Sequence, residues 1–179
     1  LGDVDGRSVL DLACGEGSFA AALAQHGAVV SGVDAAPRLV ERARSRAVPG
    51  TTFHVGDASR LDRLGADLRG PFDAASCIMA LMNIEDLTAT LEGVAARLQP
   101  DAPFVAVMLH PAFRSPKRTS WGWDTGREGA VRQYRRVDAY LSPSCEPITM
   151  NPGEAAHGKP VVETFTFHRP MSEYVRELS

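Results

Sequence analysis

The chain has 179 residues, of which 44% are apolar, and a formal net charge of −3. This is enough sequence for one domain with a substantial core and too little for two domains of ordinary size. No apolar run approaches the length of a membrane span, and nothing at the start resembles a signal peptide, so we expect no membrane partner. The sequence lacks an initial Met and stops within a predicted helix, which indicates a trimmed fragment with both ends missing.

The cysteine content argues against a disulfide-stabilised protein and against a zinc protein. The three cysteines are Cys14, Cys77 and Cys145. A sparse, odd set without metal-ligand spacing argues against a disulfide framework and against a zinc site. We therefore expect a cytoplasmic protein that needs no metal.

The first predicted element is an apolar strand that runs into a glycine-containing turn and then a helix. Residues 9–12 are the strand, Gly15 and Gly17 the turn, and residues 18–24 the start of the helix. Glycine suits the turn because a chain reversing at a strand end takes backbone angles that other residues avoid. A ligand can also lie against bare backbone there and face the N–H groups of the first helical turn.

Asp11 distinguishes between two kinds of ligand for this turn. Gly15 and Gly17, followed by Ala20, also satisfy the loose fingerprint of dinucleotide-binding turns. A carboxylate at the end of a buried strand would repel a pyrophosphate, whereas it suits a ligand that carries an ammonium or sulfonium cation. An NAD-dependent dehydrogenase is therefore the weaker interpretation.

The segment from Asp11 to Gly17 resembles the first motif of the class I S-adenosylmethionine-dependent methyltransferases. The resemblance covers about residues 7–110 and implies a Rossmann-like methyltransferase fold, with S-adenosylmethionine as cofactor and S-adenosylhomocysteine as product. One departure is an alanine where the family often has its first glycine. The cofactor-binding residues implied in this motif are Asp11, Ala13, Gly15 and Gly17.

The second predicted strand, residues 28–33, ends at an acidic residue. Asp34 lies 19 positions after Gly15, close to the spacing at which an acid reaches the ribose hydroxyls in doubly wound nucleotide-binding folds. One carboxylate can accept from two adjacent hydroxyls. We expect Asp34 and Ala35 to bind cofactor; the other interpretation is that Asp34 caps the helix beginning at Pro37.

A helix over residues 37–46 leads to a third strand, residues 51–55. In the family that this chain resembles, an acid after this strand takes the exocyclic amine of adenine, and the next backbone N–H meets the ring nitrogen. The residues at these positions are Gly56, Asp57 and Ala58. His54 lies within the strand and is interpreted as a packed or edge histidine.

Residues 72–78 predict a fourth strand, nearly continuous in apolar and small residues as expected for a strand covered on both faces. The resemblance implies that the chain passes the cofactor at its end. The candidate cofactor contacts here are Cys77, Ile78 and Met79. Asn83 and Glu85 either cap the next helix, predicted over residues 87–98, or face the pocket; capping is favoured, and Asn83 is also a candidate for substrate binding.

A fifth strand, residues 103–109, places His110 at the same edge. Five alternations of strand and helix predict an α/β fold with a doubly wound, mostly parallel sheet sandwiched by helices and a crevice at the carboxyl ends of the strands. If the acceptor is a hydroxyl, a base must remove its proton; His110 is the catalytic candidate, with His168 in reserve. A histidine hydrogen-bonded to backbone is an equally good interpretation.

The regular alternation ends after the fifth strand. Residues 112–159 predict an insertion within the domain, in which only residues 133–141 read as a strand. Residues 142–147 and 151–153 read as loops. A strand over residues 161–167 and a helix over residues 171–178 follow.

We expect the insertion to form a lid over a small-molecule acceptor. Trp121 and Trp123 would form an apolar wall, Gly122 would let the backbone bend, and Arg114 would bind an acidic group of the substrate. The other interpretation is that both tryptophans are core residues of a small subdomain.

A different class of function remains open for residues 114–136, which carry seven basic and two acidic side chains. Such a segment could contact phosphates and stack bases of RNA, either in an RNA-binding protein or in a methyltransferase that acts on RNA. The residues concerned are Arg114, Lys117, Arg118, Trp121, Trp123, Arg127, Arg132, Arg135 and Arg136. The acidic net charge argues against RNA as the partner, and methyl transfer to a small molecule is the leading interpretation.

Overall fold

The structure is a computed structural model that describes residues 2–68, 70–114, 118–126, 129–150 and 152–179. Its internal contacts divide the chain into two units, Leu1–Met108 and Leu109–Ser179. Each unit has a different type of sheet, and the two are described separately.

A parallel five-stranded sheet forms the first unit. Its spatial order is β3-β2-β1-β4-β5, and every neighbouring pair is parallel. The strands are β1 (Ser8–Leu12), β2 (Val29–Asp34), β3 (Thr51–Val55), β4 (Ala74–Ile78) and β5 (Phe104–Val107). The apolar residues of β1 are fully buried, as expected for a central strand covered on both faces.

Helical segments connect these strands. They are α1 (Ser18–Gln25), α2 (Pro37–Ser45), a 3₁₀ segment (Ala58–Asp67), a 3₁₀ turn (Leu81–Asn83) and α3 (Leu87–Ala95). The chain moves from β1 to β3 in one direction and then returns to β4 beyond β1, so right-handed crossovers place α1 and α2 on one face and α3 on the other. This arrangement confirms the predicted doubly wound fold.

The end of α3 differs from the prediction, which extended the helix to Leu98. Helix α3 ends at Ala95 because the following residues pair with the segment before β4. The backbone N–H of Phe72 donates to the carbonyl of Arg97 at 2.7 Å, and the N–H of Gln99 donates to the carbonyl of Phe72 at 2.8 Å. A contact with a distant part of the chain therefore sets this boundary.

Two antiparallel strand pairs form the second unit. Strand β6 (Thr119–Thr125) pairs with β7 (Val131–Val137), and β8 (Ser144–Thr149) pairs with β9 (Glu163–His168). The unit also contains α4 (Pro152–Ala156) and α5 (Met171–Leu178), and the latter has the predicted bounds. The predictions for β7 and β9 are confirmed with shifted ends.

Two segments of this unit were expected to be irregular and instead form strands. Residues 142–147 contribute to β8, where Pro147 lies opposite Phe165. Each strand of a two-stranded sheet has one open edge, at which the missing N–H of proline costs no ladder hydrogen bond. Of the predicted loop 151–153, Pro152 and Gly153 belong to α4, and Asn151 lies outside the described residues.

The other unexpected strand is β6, and Gly122 has a different role there from the predicted bend. It lies opposite Tyr134 on β7, and a Cβ atom at Gly122 would overlap the tyrosine ring. The glycine therefore leaves space for a cross-strand aromatic side chain.

Among the helices of the described residues, none is both long enough and apolar enough to cross a membrane.

Candidate functional site

The carboxyl ends of β1 to β4 bring together the predicted site residues of the first unit. The strand register places Leu12 level with both Val33 and Cys77, and Asp34 level with Val55. The predicted cofactor-binding residues lie at or just beyond these positions. The sheet therefore collects them at one edge, where ligands bind in open α/β folds.

Gly15, in the turn after β1, has a backbone conformation and open surroundings that let a ligand approach the backbone closely. This residue has a φ of 55°, and no described atom lies within 4 Å of where its Cβ would be. The open space shows that packing does not exclude a side chain at this position. Gly15 therefore fits the interpretation that bare backbone faces a ligand.

Gly17 and Ala13 occupy the same turn for different reasons. Gly17 has a φ of 72°, and a Cβ on it would lie 2.6 Å from Cζ of Phe53. Packing against this ring therefore requires glycine at position 17, a reason that the sequence did not indicate; the contact of Gly17 with the cofactor stays a prediction. Ala13, where the family often has glycine, has a φ of 50°, a left-handed conformation that costs a non-glycine residue roughly 1–2 kcal/mol.

Asp34 connects the end of β2 to the glycine turn. Its Oδ2 accepts from the N–H of Gly15 at 2.8 Å, and its Oδ1 accepts from the N–H of Ala36 at 2.8 Å. The helix-cap interpretation is wrong, because Ala36 is the N-cap residue of α2. Each carboxylate oxygen has two acceptor positions, so both can still receive a hydroxyl.

Asp11 is a buried carboxyl group with one oxygen unpartnered. Its side chain is 1% exposed, and its Oδ1 accepts from the hydroxyl of Ser76 at 2.9 Å. Its Oδ2 is buried without a hydrogen-bond partner in the described parts of the chain. Burial raises its pKa from 3.8 to about 7; the Ser76 hydrogen bond acts in the opposite direction, and the charge of Asp34 adds to the rise.

Such an orphaned oxygen is costly unless a donor reaches it. A cationic ligand would supply the donor and favour the ionised form of Asp11. Sequence reasoning identified Asp11 but missed Ser76, whose only signal was a polar residue within the apolar run of β4.

Asp57 is the N-cap residue of the 3₁₀ segment after β3. Its Oδ1 accepts from both the N–H and the hydroxyl of Ser59, at 2.9 and 2.7 Å. Its Oδ2 accepts no hydrogen bond from the residues that the structure describes, so one oxygen is available to a ligand amine. Ala58 follows with a buried side chain, and the N–H of Gly56 is bonded to the carbonyl of Asp34 at 3.0 Å.

The segment after β4 contributes an exposed side chain to the same edge. Cys77 is fully buried, and burial raises the pKa of its thiol to about 12, so it stays protonated at neutral pH. Ile78 ends the strand, and Met79 takes a left-handed conformation with a φ of 60° and an exposed side chain. Of the three, only Met79 presents an exposed side chain.

The predicted capping by Asn83 and Glu85 is wrong. Asp86 caps α3, because its Oδ1 accepts from the N–H of Ala89 at 2.9 Å. The sequence feature that could have identified this cap is the position of Asp86, an acid directly before the apolar run of α3. Asn83 lies in the preceding 3₁₀ turn, and its Oδ1 is buried without a partner among the described residues.

Both candidate histidines of the second unit bond to backbone. The Nδ1 atom of His110 accepts from the N–H of Ala112 at 3.2 Å, so the neutral ring holds its proton on Nε2. The Nε2 atom of His168, a buried side chain, donates to the carbonyl of Tyr140 at 2.8 Å. In this tautomer the Nε2 atom of His110 carries a proton and is a donor. The ring can act as a base through Nδ1 only after Nδ1 releases the N–H of Ala112.

The tryptophans of β6 are exposed within their unit. Trp121 is 61% and Trp123 67% exposed, so the interpretation as core residues is wrong. The guanidinium of Arg135 lies 5.2 Å from the ring centre of Trp121 and 5.5 Å from that of Phe113, a cation–π arrangement. Arg114 lies 3.4 Å from the hydroxyl of Thr166 through its Nη1 atom.

Two basic residues of the proposed RNA-binding set, Lys117 and Arg127, lie outside the described residues. Among the residues that are described, no group of three or more His, Cys, Asp or Glu side chains is arranged to hold a metal ion.

The chain resembles known proteins in sequence and in fold. Residues 9–101 match the family described as a methyltransferase domain. The ubiquinone biosynthesis O-methyltransferase of Xanthomonas oryzae pv. oryzae (strain PXO99A) is 34% identical over 98 residues, which are 55% of this chain and 41% of that protein. This chain thus spans about two fifths of the length of the curated relatives it matches.

Solved structures extend the comparison to nearly the whole chain. An S-adenosylmethionine-dependent methyltransferase from Mesorhizobium loti superposes with a TM-score of 0.74 and 28% identity, over 99% of this chain and 74% of that one. A glycopeptide N-methyltransferase solved with S-adenosylmethionine shares the fold, with a TM-score of 0.59 and 19% identity over 97% of this chain and 74% of that one. The chain therefore belongs to the methyltransferase domain family, and its sheet is that of the class I S-adenosylmethionine-dependent methyltransferases.

Proposed function

We propose that this chain transfers a methyl group from S-adenosylmethionine to a small-molecule acceptor and releases S-adenosylhomocysteine. The observation that carries this proposal is the buried, unpartnered Oδ2 of Asp11 next to the glycine turn. A carboxylate in that position favours a cation and disfavours a pyrophosphate. This argues for S-adenosylmethionine over a dinucleotide.

Four side-chain and backbone groups of the first unit would hold the cofactor. Asp11 would receive its cationic end, Gly15 would lie against it, Asp34 would accept from its ribose hydroxyls, and Asp57 would accept from its adenine amine. Every one of these groups keeps an acceptor position or a free surface in the structure. When bound, S-adenosylmethionine supplies a methyl group already activated as part of a sulfonium.

The remaining work of the protein is alignment of the acceptor and exclusion of water. An acceptor hydroxyl must also lose a proton, and we assign this to His110 once its Nδ1 is released from the N–H of Ala112. His168 is the weaker candidate because it is buried and bonded to Tyr140.

We assign acceptor binding to residues 109–179. The exposed rings of Trp121 and Trp123 offer apolar surface, and Arg114 is the polar candidate of this unit. Asn83 belongs to the first unit, and its role in acceptor binding stays a separate prediction. A relative that covers part of the chain is an O-methyltransferase of ubiquinone biosynthesis, which supports a small molecule as the acceptor. The basic, aromatic surface around Arg135 is the observation that favours RNA as the second candidate.

A labelling experiment separates these acceptors. The protein is incubated with S-adenosylmethionine carrying a labelled methyl group, together with pools of phenols, catechols, amines and carboxylic acids, and in a parallel reaction with total RNA. We expect label in one small-molecule pool, and Asp34→Ala should reduce it strongly. Label found only in RNA would show that RNA, and not a small molecule, is the acceptor. If no reaction released S-adenosylhomocysteine, the proposed activity would be contradicted.

A further inference from the structure

A row of four side-chain positions crosses the sheet just below the glycine turn. The register pairs Asp11 with Ser76 on one side and with Gly32 on the other, and it pairs Gly32 with Phe53. Paired positions of parallel strands carry their side chains on the same face. The missing side chain of Gly32 therefore leaves a gap in this row.

The ring of Phe53 fills that gap. A Cβ atom at Gly32 would lie 2.6 Å from Cδ1 and 2.9 Å from Cε1 of Phe53, and 2.8 Å from Sγ of Cys14. Phe53 is 6% exposed, and it belongs to the apolar cluster that α1 and α2 form on this face. The near edge of the ring thus packs on the sheet.

The far edge of the same ring contacts the glycine turn. A Cβ atom at Gly17 would lie 2.6 Å from Cζ and 2.8 Å from Cε1 of Phe53, and 3.0 Å from Cβ of Ala43. Gly17 is the N-cap residue of α1, and its N–H closes the turn onto the carbonyl of Cys14 at 2.9 Å. The ring therefore lies against the residue that joins the turn to the helix.

The backbone of Phe53 is fixed as well. Its carbonyl accepts from Nε of Arg44 at 3.0 Å and from Nη2 of the same guanidinium at 2.6 Å. Arg44 follows Ala43 on α2, and so the same helix contacts Phe53 at the ring and at the carbonyl. The ring has little freedom to move away from the turn.

We propose that Phe53 is a positioning residue that sets the shape of the cofactor-binding turn. Its ring separates Gly17 from the sheet and so fixes where the N–H groups around Gly15 point. The inference rests on the proposed cofactor binding, but it assigns Phe53 no contact with the cofactor. It also explains why glycine occupies position 17, where the left-handed φ alone would tolerate alanine at the cost that Ala13 already shows.

The first test compares the same substitution at two buried phenylalanines. Phe53→Leu removes the ring atoms that touch Gly17, whereas Phe72→Leu makes the same change at a buried residue of the segment before β4, which pairs with residues 97–99. Calorimetric titration with S-adenosylhomocysteine should show affinity weakened about fivefold by Phe53→Leu and changed less than about twofold by Phe72→Leu, at comparable losses of stability in urea. Equal effects on affinity would reduce Phe53 to an ordinary core residue.

A double-mutant cycle tests the contact itself. Gly17→Ala should weaken binding, and Phe53→Leu added to it should restore part of the affinity, because leucine lacks the Cζ and Cε1 atoms with which the new Cβ collides. Gly32→Ala serves as the control: its Cβ would meet Cε1 of Phe53 as well, but it would still collide with Sγ of Cys14 and with the leucine atom that remains near Cδ1. Phe53→Leu should therefore rescue Gly32→Ala much less than Gly17→Ala. Rescue of neither variant, or of both equally, would overturn the inference.

Two further outcomes are distinguished by the wild-type protein and by a second variant. If wild type does not bind S-adenosylhomocysteine, the proposed function fails and this inference with it; if wild type binds and Phe53→Leu binds equally well, the inference alone fails. Should Phe53→Leu not fold, Phe53→Met keeps a similar volume with a flexible chain and should give the same loss of affinity.

Discussion

The two units of this chain differ in how they bury apolar side chains. In the first unit the apolar residues of the central strand β1 are fully buried, and the one carboxylate of this strand, Asp11, is buried with them. In the second unit Phe113, Trp121 and Trp123 are 63%, 61% and 67% exposed. A buried parallel sheet can hold backbone groups in fixed positions, whereas exposed aromatic surface on antiparallel hairpins is typical of binding surfaces. The difference supports our proposal that the first unit binds the cofactor and that residues of the second unit bind the acceptor.

The largest expected effect concerns the glycine turn of the first unit. Gly15→Val should weaken S-adenosylhomocysteine binding at least about 100-fold, because a branched side chain would occupy the space left for the ligand. Gly6→Val is the matched control: Gly6 also has a positive φ and no described atom near its Cβ position, and it lies before β1, away from the turn. Affinity is measured by calorimetry on both variants. Equal losses would mean that backbone strain, and not the ligand, determines the result.

A pH dependence should follow from the buried Asp11. Its pKa of about 7 in the unliganded protein means that binding a cation must first ionise it. The affinity for S-adenosylmethionine should therefore rise about tenfold per pH unit from pH 5 to 7 and level off above. Asp11→Asn should bind weakly with no such slope, and a wild-type affinity independent of pH would contradict the assignment.

The same pKa affects the stability of the unliganded protein. Because the folded pKa of about 7 exceeds the unfolded value of 3.8, the folded state retains the proton longer as pH rises. Stability should then decrease from about pH 4 to 7, by an amount on the order of 4 kcal/mol, and Asp11→Asn should flatten this decrease in urea unfolding. A wild-type profile as flat as that of the variant would show that Asp11 is ionised in the folded protein.

A smaller effect is expected at Asp34. Asp34→Ala removes the proposed acceptor for the ribose hydroxyls, together with the hydrogen bonds to the N–H groups of Gly15 and Ala36. We expect S-adenosylhomocysteine binding to weaken at least about tenfold, since charge-assisted hydrogen bonds contribute roughly 1.5–3 kcal/mol each. Asp34→Asn retains one carbonyl oxygen and should lose less. Unchanged affinity of the alanine variant in calorimetry would remove Asp34 from the site.

The smallest effect on cofactor affinity is expected in the second unit. Replacing Trp121 and Trp123 together by alanine should leave S-adenosylhomocysteine affinity within a few-fold, because neither ring is part of the first unit's core. Once an acceptor is known, its KM should rise about fivefold or more with the loss of aromatic surface. If the double variant lost thermal stability and cofactor affinity together, the tryptophans would be structural residues, and their assignment to acceptor binding would be wrong.

Much of the first unit could be predicted because its signals are local. Buried parallel strands are short apolar runs, and Asp11, Asp34 and Asp57 interrupt or end them as polar residues. Their common edge then follows because strands joined by helical crossovers run parallel and end on the same side of the sheet. The boundary of α3 could not be predicted, because it depends on backbone pairing between Phe72 and Arg97.

The second unit was harder to predict because its structure depends on pairing across strands. Strand β6 contains Gly122, which looks like a flexible point until Tyr134 is placed opposite it. The same applies to Gly17 in the first unit, since its role depends on the ring of Phe53 from another strand. A glycine within a sequence shows that a side chain is absent, and only the fold shows which neighbour or ligand uses the space.

Calorimetric titration of the protein with S-adenosylhomocysteine and, separately, with NAD⁺ tests the assignment of the strand-end site most directly. The carboxylate of Asp11 and the open backbone at Gly15 predict binding of one S-adenosylhomocysteine per chain, lost in Gly15→Val, and no binding of NAD⁺. Binding of NAD⁺ without binding of S-adenosylhomocysteine would contradict it.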